Sequence, residues 1–143
     1  MKSIFTWMIA VAAMSMACAG AASAQQAGQE TIPADPGAIL FEKRCAQCHS
    51  LSKGKNGNGP SLHGVINRPA ASEPGFKYSR AMRQMAAEES LNWSEEYLAA
   101  FVARPSQLVP GTRMAFAGME NEEDREALVA WIKANSGPPF NEP

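Results

Sequence analysis

Hydrophobic residues recur every three or four positions in several parts of the chain, a spacing that is typical of amphipathic helices. Two stripes are clear, namely Tyr97, Leu98, Phe101 and Val102 in one segment, and Leu128, Val129, Trp131 and Ile132 in another. A shorter apolar face upstream consists of Ile39, Leu40 and Phe41. No alternating run is long enough to predict a strand. The pattern therefore predicts an all-α domain.

Residues that begin or end helices flank these stripes. Side chains that can accept hydrogen bonds from free N–H groups stand before the stripes, and prolines or a glycine stand where the helices should stop. The predicted helices begin at Asp35-Pro36, Ser79, Ser94 and Asn121, and they end at the cysteine motif, Ala87, Arg104-Pro105 and Gly137 respectively. The caps at Asp35 and Asn121 and the stops at Arg104-Pro105 and Gly137 support the helical prediction independently of hydrophobicity.

The predicted helices are joined by long loops that are rich in glycine and proline, such as residues 51–60. The chain has 143 residues, which suits one domain, and we place that domain at residues 35–137. Roughly a third of the mature chain is irregular, more than a domain of this size usually stabilises by side-chain burial alone. A large apolar cofactor at the centre would supply the missing core.

The first 24 residues have the features of a secretory signal peptide. Lys2 precedes an apolar run over residues 4–17, and Ala22-Ser23-Ala24 forms an A-x-A cleavage site. We expect cleavage after Ala24 and export to the periplasm. A flexible leader is predicted at residues 25–34 and a loose tail at residues 138–143.

Two alternatives for the N-terminal segment stay open. The segment is almost long enough to remain as a membrane anchor, although its alanine, serine and glycine content makes it weakly apolar. A lipoprotein attached at Cys18 is a weaker alternative, because Ser15 stands where a bulky aliphatic residue is usual.

Charge is distributed unevenly along the chain. Without Lys2, the exported chain has 12 basic and 14 acidic residues, a formal net charge of −2, which argues against general nucleic-acid binding. Residues 43–83 contain eight bases and one acid, Glu73, whereas residues 84–143 contain four bases and ten acids. We therefore expect a dipole with its basic end in the half that carries the cysteines.

The sequence Cys45-Ala46-Gln47-Cys48-His49 is the strongest chemical signal. A C-x-x-C pair can form a redox disulfide, half a zinc site or a haem attachment site, and the histidine that follows favours haem. Zinc needs further ligands, and the exported chain offers only His63 from the remaining cysteines and histidines. A dithiol oxidoreductase needs flanking strands, which the pattern does not predict.

A second ligand to a haem iron cannot be chosen from spacing alone. The candidates are Met82, Met85, Met114, Met119 and His63. Methionine is more often a core residue than a ligand, and Met82 and Met85 lie at helical spacing. Met114 stands apart because it lies in a loop where no helical pattern requires it.

Several further segments occur in the order found in class I cytochromes c. They are Gly59-Pro60-Ser61-Leu62-His63-Gly64, Pro74-Gly75-Phe76-Lys77-Tyr78 and residues 110–118, all after the cysteine motif. Together the chain resembles the mitochondrial type and its bacterial periplasmic relatives over residues 35–135. The resemblance implies a class I cytochrome c fold, with a few helices and long loops around one covalently bound haem c.

The resemblance also implies a role for individual residues. Cys45 and Cys48 would form the thioethers, and His49 and Met114 would be the axial ligands of the iron. The carbonyl group of Pro60 would accept a hydrogen bond from the ligand histidine.

Other residues match positions around the haem and between helices. Arg68, Tyr78 and Trp93 match residues that contact the haem propionates, although ordinary aromatic packing also explains Tyr78 and Trp93. Gly37 and Phe41 match a crossing of the first and last helices, whose partners here would be Leu128 and Trp131. His63 falls at a surface turn and is expected not to be a ligand.

The chain departs from the family at several positions. Phe101 replaces a tyrosine beside the methionine sulfur, and Met82 replaces an asparagine that helps to hold an internal water. The basic rim is incomplete: Arg44, Lys55 and Arg113 retain part of it, Ser106 and Gln107 replace common lysines, and Glu120, Glu122 and Glu123 replace others. We expect a docking face that is only partly basic.

These observations predict a soluble, monomeric, periplasmic carrier of single electrons that has no enzymatic activity. Its partners would be redox proteins that bind transiently, including membrane complexes. We expect no nucleic-acid partner and no small-molecule substrate. Two alternatives stay open, namely a redox subunit tethered or docked at the membrane, and a haem enzyme or gas sensor with a labile Met114.

Overall fold

The computed structural model describes residues 34–140. Five helices follow one another in this part of the chain: α1 (Pro36–Arg44), α2 (Arg80–Glu89), α3 (Glu95–Ala103), α4 (Pro105–Leu108) and α5 (Glu122–Asn135). The predicted signal peptide, the leader up to residue 33 and residues 141–143 lie outside the described residues. Within residues 34–140, the extended pairing is limited to one isolated antiparallel bridge between Pro69 and Asn92, so the all-α prediction is confirmed.

Four helices begin at the capping residues that the sequence predicts. The Asp35 carboxylate accepts a hydrogen bond from the Gly37 N–H at 2.8 Å. Ser79, Ser94 and Asn121 likewise accept hydrogen bonds from the N–H groups three residues later. Each cap satisfies a donor that the first turn of a helix leaves free.

The first and last helices cross at Gly37. A Cβ atom at this position would lie 2.3 Å from the carbonyl oxygen of Ala127 and 2.4 Å from the Cβ of Trp131. The ring of Phe41 packs against that of Trp131, with 4.9 Å between their centroids. Any side chain at Gly37 would push the helices apart, so the predicted crossing is confirmed together with its need for a small residue.

The middle of the molecule is packed around α3 and α5. Leu128 and Val109 are fully buried, and Phe101 and Val102 of α3 are almost so. The short helix α4 was not anticipated from the sequence. Arg104-Pro105 ends α3 as predicted, but Pro105 then occupies the first position of a new turn, where its missing N–H costs nothing.

The described end of the chain is held in place. Gly137 has a φ of 88° and turns the chain out of α5. The N–H of Phe140 then donates to the carbonyl oxygen of Ile66 at 2.9 Å. One hydrogen bond thus joins the described part of the tail to a loop, and the loose tail over residues 138–143 stays a prediction. Among residues 34–140, no helix has both the length and the apolar character needed to cross a membrane.

Candidate haem-attachment site

The cysteine motif begins where α1 ends. Cys45 is the C-cap residue, and its carbonyl oxygen accepts hydrogen bonds from the N–H groups of Cys48 at 3.0 Å and His49 at 2.9 Å. This tight turn brings the two thiols and the imidazole into one short stretch of backbone. Both thiols are free and half-buried. The spacing therefore gives the arrangement that two thioethers and an adjacent ligand need.

The Cys45 thiol stays protonated at neutral pH. Burial raises its pKa to about 11, while Arg44 lowers it in part and Cys48 raises it further. A thiol of this kind is a poor nucleophile in disulfide exchange, because that reaction needs the thiolate. The environment of Cys45 thus disfavours the dithiol alternative and suits a thiol held against an apolar group.

His49 is oriented by the chain itself. Its Nδ1 lies 2.8 Å from the carbonyl oxygen of Pro60. A carbonyl group can only accept, so Nδ1 carries the proton in the neutral ring and Nε2 presents its lone pair. Burial lowers the pKa of His49, and the hydrogen bond to Pro60 opposes this in part. A neutral imidazole with a free Nε2 is the form that binds a metal.

Gly59 forms one wall of the histidine site, a role that the sequence did not reveal. A Cβ atom on Gly59 would lie 2.3 Å from Cε1 of His49 and 2.6 Å from both ring nitrogens. The backbone therefore lies flat against the imidazole, and no other residue fits. The signal available in the sequence was a glycine immediately before Pro60 in a loop that already contains several glycines.

The loop behind His49 is held by Asn56 and Ser61. The Asn56 side chain accepts from the Ser61 N–H at 2.8 Å and donates to the carbonyl oxygen of Pro74 at 2.9 Å. The Ser61 hydroxyl donates to the carbonyl oxygen of Ser52 at 2.7 Å. These neutral side chains connect two loops, and sequence analysis singled out neither of them for this purpose.

Arg68 lies in the interior together with an acid. Its side chain is 7% exposed, and Nη1 lies 2.5 Å from the Glu73 carboxylate. Nη1 and Nη2 also donate to the carbonyl oxygens of His63 at 2.9 Å and Ser61 at 2.7 Å. The third guanidinium nitrogen, Nε, is buried and has no hydrogen-bond partner within the described residues. A buried donor without an acceptor is rare in folded proteins and points to a bound group.

The Tyr78 hydroxyl is a second free donor, close to the Arg68–Glu73 pair. Its hydroxyl oxygen accepts from the Glu73 N–H at 3.2 Å, so its own hydrogen remains available. Burial raises the pKa of Tyr78, which keeps the hydroxyl protonated and able to donate. Arg68 Nε and the Tyr78 hydroxyl therefore suit a buried carboxylate, the group that a haem propionate provides.

Trp93 is placed beside Arg68 by the backbone. The Trp93 N–H donates to the carbonyl oxygen of Arg68 at 3.0 Å, and the Trp93 carbonyl accepts from the Asn67 N–H at 2.9 Å. The indole is almost buried and packs on Phe101, with 5.0 Å between ring centroids. Arg68 is thus linked to Trp93 by the backbone and to Tyr78 through Glu73, while contact of the three with a haem propionate stays a prediction.

The other candidate ligands lie in the core or contact other residues. Met82 and Met119 are buried in the core, and Met85 accepts a hydrogen bond from the Tyr97 hydroxyl at 3.3 Å. The His63 Nδ1 lies 3.3 Å from the carbonyl oxygen of Leu51, and its ring lies against Gly137. Met114 is half-buried in the loop that follows α4.

The residues present fit a covalently attached haem. A cavity of about 390 Å³ runs along the motif, and its lining includes Phe41, Cys48, His49 and Leu51. Such a cofactor requires two thiols, an imidazole with a free nitrogen and donors for a carboxylate, and the described residues include all of these groups. Within residues 34–140, no three histidine, cysteine or acidic side chains are grouped as for a bare metal ion.

Comparison with known sequences agrees with this site. The family described as "Cytochrome c" matches residues 34–136. The chain is 43% identical over 100 residues to the cytochrome c of Euglena viridis, covering 70% of this chain and 94% of the relative. It is 41% identical over 98 residues to that of Gibberella zeae, covering 68% and 89%. It is 33% identical over 107 residues to cytochrome c type-1 of Ascaris suum, covering 75% and 92%.

Proposed function

Because this chain belongs to the cytochrome c family, whose members carry electrons on one covalently attached haem c, we propose that it is a periplasmic single-electron carrier with His49 and Met114 as the axial ligands of its iron. The observation that carries the proposal is the hydrogen bond from His49 Nδ1 to Pro60, which leaves Nε2 free beside two free thiols. When bound, the haem supplies an iron that accepts and releases one electron.

The residues of the motif hold the cofactor and orient one ligand. Cys45 and Cys48 would hold the haem, each through a thioether between its sulfur and one vinyl-derived carbon of the cofactor. The Pro60 carbonyl keeps the proton on Nδ1 of His49 and increases the basicity of Nε2. Gly59 fixes the plane of the imidazole, because the backbone there allows no rotation toward it.

Met114 is proposed as the second ligand because it is half-buried beside the core, whereas Met82 and Met119 are buried in the core and Met85 contacts Tyr97. A thioether is a soft ligand that favours the ferrous state and raises the reduction potential. His49 and Met114, both bound to the iron, would leave no place on it for a small molecule, which would favour electron transfer over catalysis.

Partner binding is proposed to use the basic half of the molecule. Arg44, Lys55 and Arg113 are exposed, and the one acid of residues 43–83, Glu73, is buried against Arg68. The exposed charges of that segment are therefore all basic. We propose transient redox protein partners with acidic surfaces, because exposed complementary charges raise association rates more than affinity.

The ligand assignment is tested on the haem-loaded protein by spectroscopy. Wild type should show the near-infrared band of a ferric sulfur–iron bond. Met114→Ala should lose that band while keeping its covalent haem, and the matched variant Met85→Ala should retain it. A band that survives in Met114→Ala contradicts the assignment, and absence of the band from wild type favours the alternative of a haem enzyme or gas sensor.

The periplasmic location is tested by mass spectrometry of the native protein. A mature chain that begins at Gln25 agrees with cleavage after Ala24 and a soluble carrier. A chain that retains its first 24 residues and fractionates with membranes supports the tethered alternative.

A further inference from the structure

Glu73 is the only acidic residue between Lys43 and Arg83, a segment with eight bases. A solitary acid in such a segment is normally expected at the surface, where it pairs weakly with neighbouring cations. Its side chain is instead 6% exposed and lies 2.5 Å from Nη1 of Arg68, which is equally buried. Burying this carboxylate is unfavourable unless its charge is matched, so the pair is a specific feature of the interior.

The surrounding backbone already fixes the Arg68 guanidinium. The carbonyl oxygens of Ser61 and His63 each accept one of its N–H groups. Glu73 is therefore not needed to hold the side chain in place, and what it adds is a negative charge. The Arg68–Glu73 pair is close to neutral, yet Arg68 Nε and the Tyr78 hydroxyl still have hydrogens to donate.

We propose that Glu73 lowers the reduction potential by neutralising Arg68 beside the haem carboxylate that Arg68 Nε and Tyr78 bind. This inference rests on the proposed function. Without Glu73, Arg68 would place a full positive charge at that carboxylate and favour the reduced iron, because reduction adds a negative charge. With Glu73, the carboxylate receives hydrogen bonds but little net positive charge. Glu73 thus acts on the reduction potential through the charge of Arg68, and not by holding the Arg68 side chain in place.

The test compares the reduction potentials of wild type and Glu73→Gln, both with haem attached. Glutamine has the same shape and can still accept a hydrogen bond from Arg68, so the change removes charge with little change in volume. We expect a higher potential, with the ratio of reduced to oxidised protein at a fixed applied potential increased by up to about tenfold, or about 59 mV for a one-electron couple. Glu73→Asp should stay close to wild type, because it keeps the charge.

Glu120→Gln is the matched control. Glu120 is also paired with an arginine, Arg104, at 3.7 Å, but its side chain is 88% exposed. Solvent screens that charge, so its removal should shift the potential far less. The proposal is overturned when Glu73→Gln shifts the reduction potential no more than Glu120→Gln does. A purely structural role for Glu73 would lower stability and leave the reduction potential unchanged.

A second measurement uses wild type alone and applies even if Glu73→Gln does not fold. The carboxyl carbon of Glu73, labelled with carbon-13, should give the NMR shift of an ionised carboxylate at neutral pH in both oxidation states. A protonated Glu73 overturns the inference. Failure of the proposed function is distinguishable from this result, since wild type would then carry haem but lack the near-infrared sulfur–iron band, whatever the charge of Glu73.

Discussion

The two loops that carry the proposed ligands differ in how the chain holds them. In residues 48–62, which contain His49, backbone and side chain are tied at many points. The Gly59 N–H donates to the Cys48 carbonyl at 2.9 Å, and the Leu62 N–H donates to that of Ser50 at 2.8 Å. Asn56 and Ser61 add further hydrogen bonds inside the loop. The histidine side is therefore built by the protein alone.

Residues 110–118, which contain Met114, have far fewer such contacts. The Met114 N–H donates to the Thr112 hydroxyl at 3.3 Å, and Arg44 donates to the Gly118 carbonyl at 3.2 Å. Arg44 also lies over the ring of Phe116, with 5.4 Å to the centroid. The amides of residues 115–118 donate to no atom of the described chain.

The difference in hydrogen bonding between the two loops indicates which proposed ligand is already in position before the iron binds. Groups fixed by many hydrogen bonds lose little freedom when they bind a metal, whereas a loop with few bonds opens more easily. We infer that the proposed bond from Met114 to iron would be a main restraint on residues 115–117, while the hydrogen bond to Pro60 holds His49 in position without the iron. The predictions below test this contrast.

The largest expected effect is on the histidine side. Gly59→Ala should lower the free energy of unfolding by about 3 kcal/mol, because its Cβ would overlap the imidazole of His49 and overpacking typically costs about 1–3 kcal/mol. Chemical denaturation of the haem-loaded protein measures the loss, and the visible spectrum shows whether the histidine ligand is disturbed.

Gly54→Ala is its matched control. Gly54 lies in the same loop with a φ of 69° and nothing near its Cβ position. It should cost about 1 kcal/mol from backbone strain alone and leave the spectrum unchanged. Equal losses in the two variants, with normal spectra in both, would show that the imidazole site adapts and is not preorganised.

A smaller effect is expected on the methionine side. Thr112→Val removes the hydroxyl that accepts from the Met114 N–H but keeps the side-chain shape. It should lower the free energy of unfolding by about 0.5 kcal/mol, because a single half-exposed hydrogen bond contributes little net stability. Thr112→Ser, which keeps the hydroxyl, serves as the control in the same denaturation experiment. A loss as large as that of Gly59→Ala would erase the contrast between the two loops.

The last prediction is that high pH leaves the ligand at the Met114 position unchanged. No lysine lies between Arg104 and Asn121, and arginine stays protonated at any pH that the protein survives. We therefore expect no high-pH form in which a lysine of this segment replaces Met114. EPR and NMR of the ferric protein at high pH measure this, and Arg113→Lys provides the positive control. Lysine ligation in the wild-type segment would contradict the prediction.

Much of the fold could be predicted because its signals are local. Asp35, Ser79, Ser94 and Asn121 cap helices through hydrogen bonds that span only two or three residues. Such contacts depend on residue type and position in one turn, which a sequence displays directly. The short helix α4 was missed because Pro105 both ends α3 and fits the first position of a new turn, so its signal is ambiguous. The attachment of Phe140 to Ile66 was missed because it depends on where distant parts of the chain come to lie.

The candidate site divides in the same way. The C-x-x-C-H spacing identifies the thiols and imidazole, since all of them lie on one tight turn. Asn56 and Gly59 gave no comparable signal, because polar or glycine residues in a loop are usually solvated. Glu73 lies only five positions from Arg68, but no regular element relates them, so their pairing inside the protein was not visible.

The sequence by itself determined the covalent chemistry and the helical class, because both rest on residue types at short, regular spacings. Only the tertiary structure decided how that chemistry is tuned. The proton on His49 is placed by a carbonyl eleven positions away. The charge of Arg68 is balanced by an acid that the sequence alone would place in solvent. Both effects depend on burial and on the path of the chain, which local patterns do not encode.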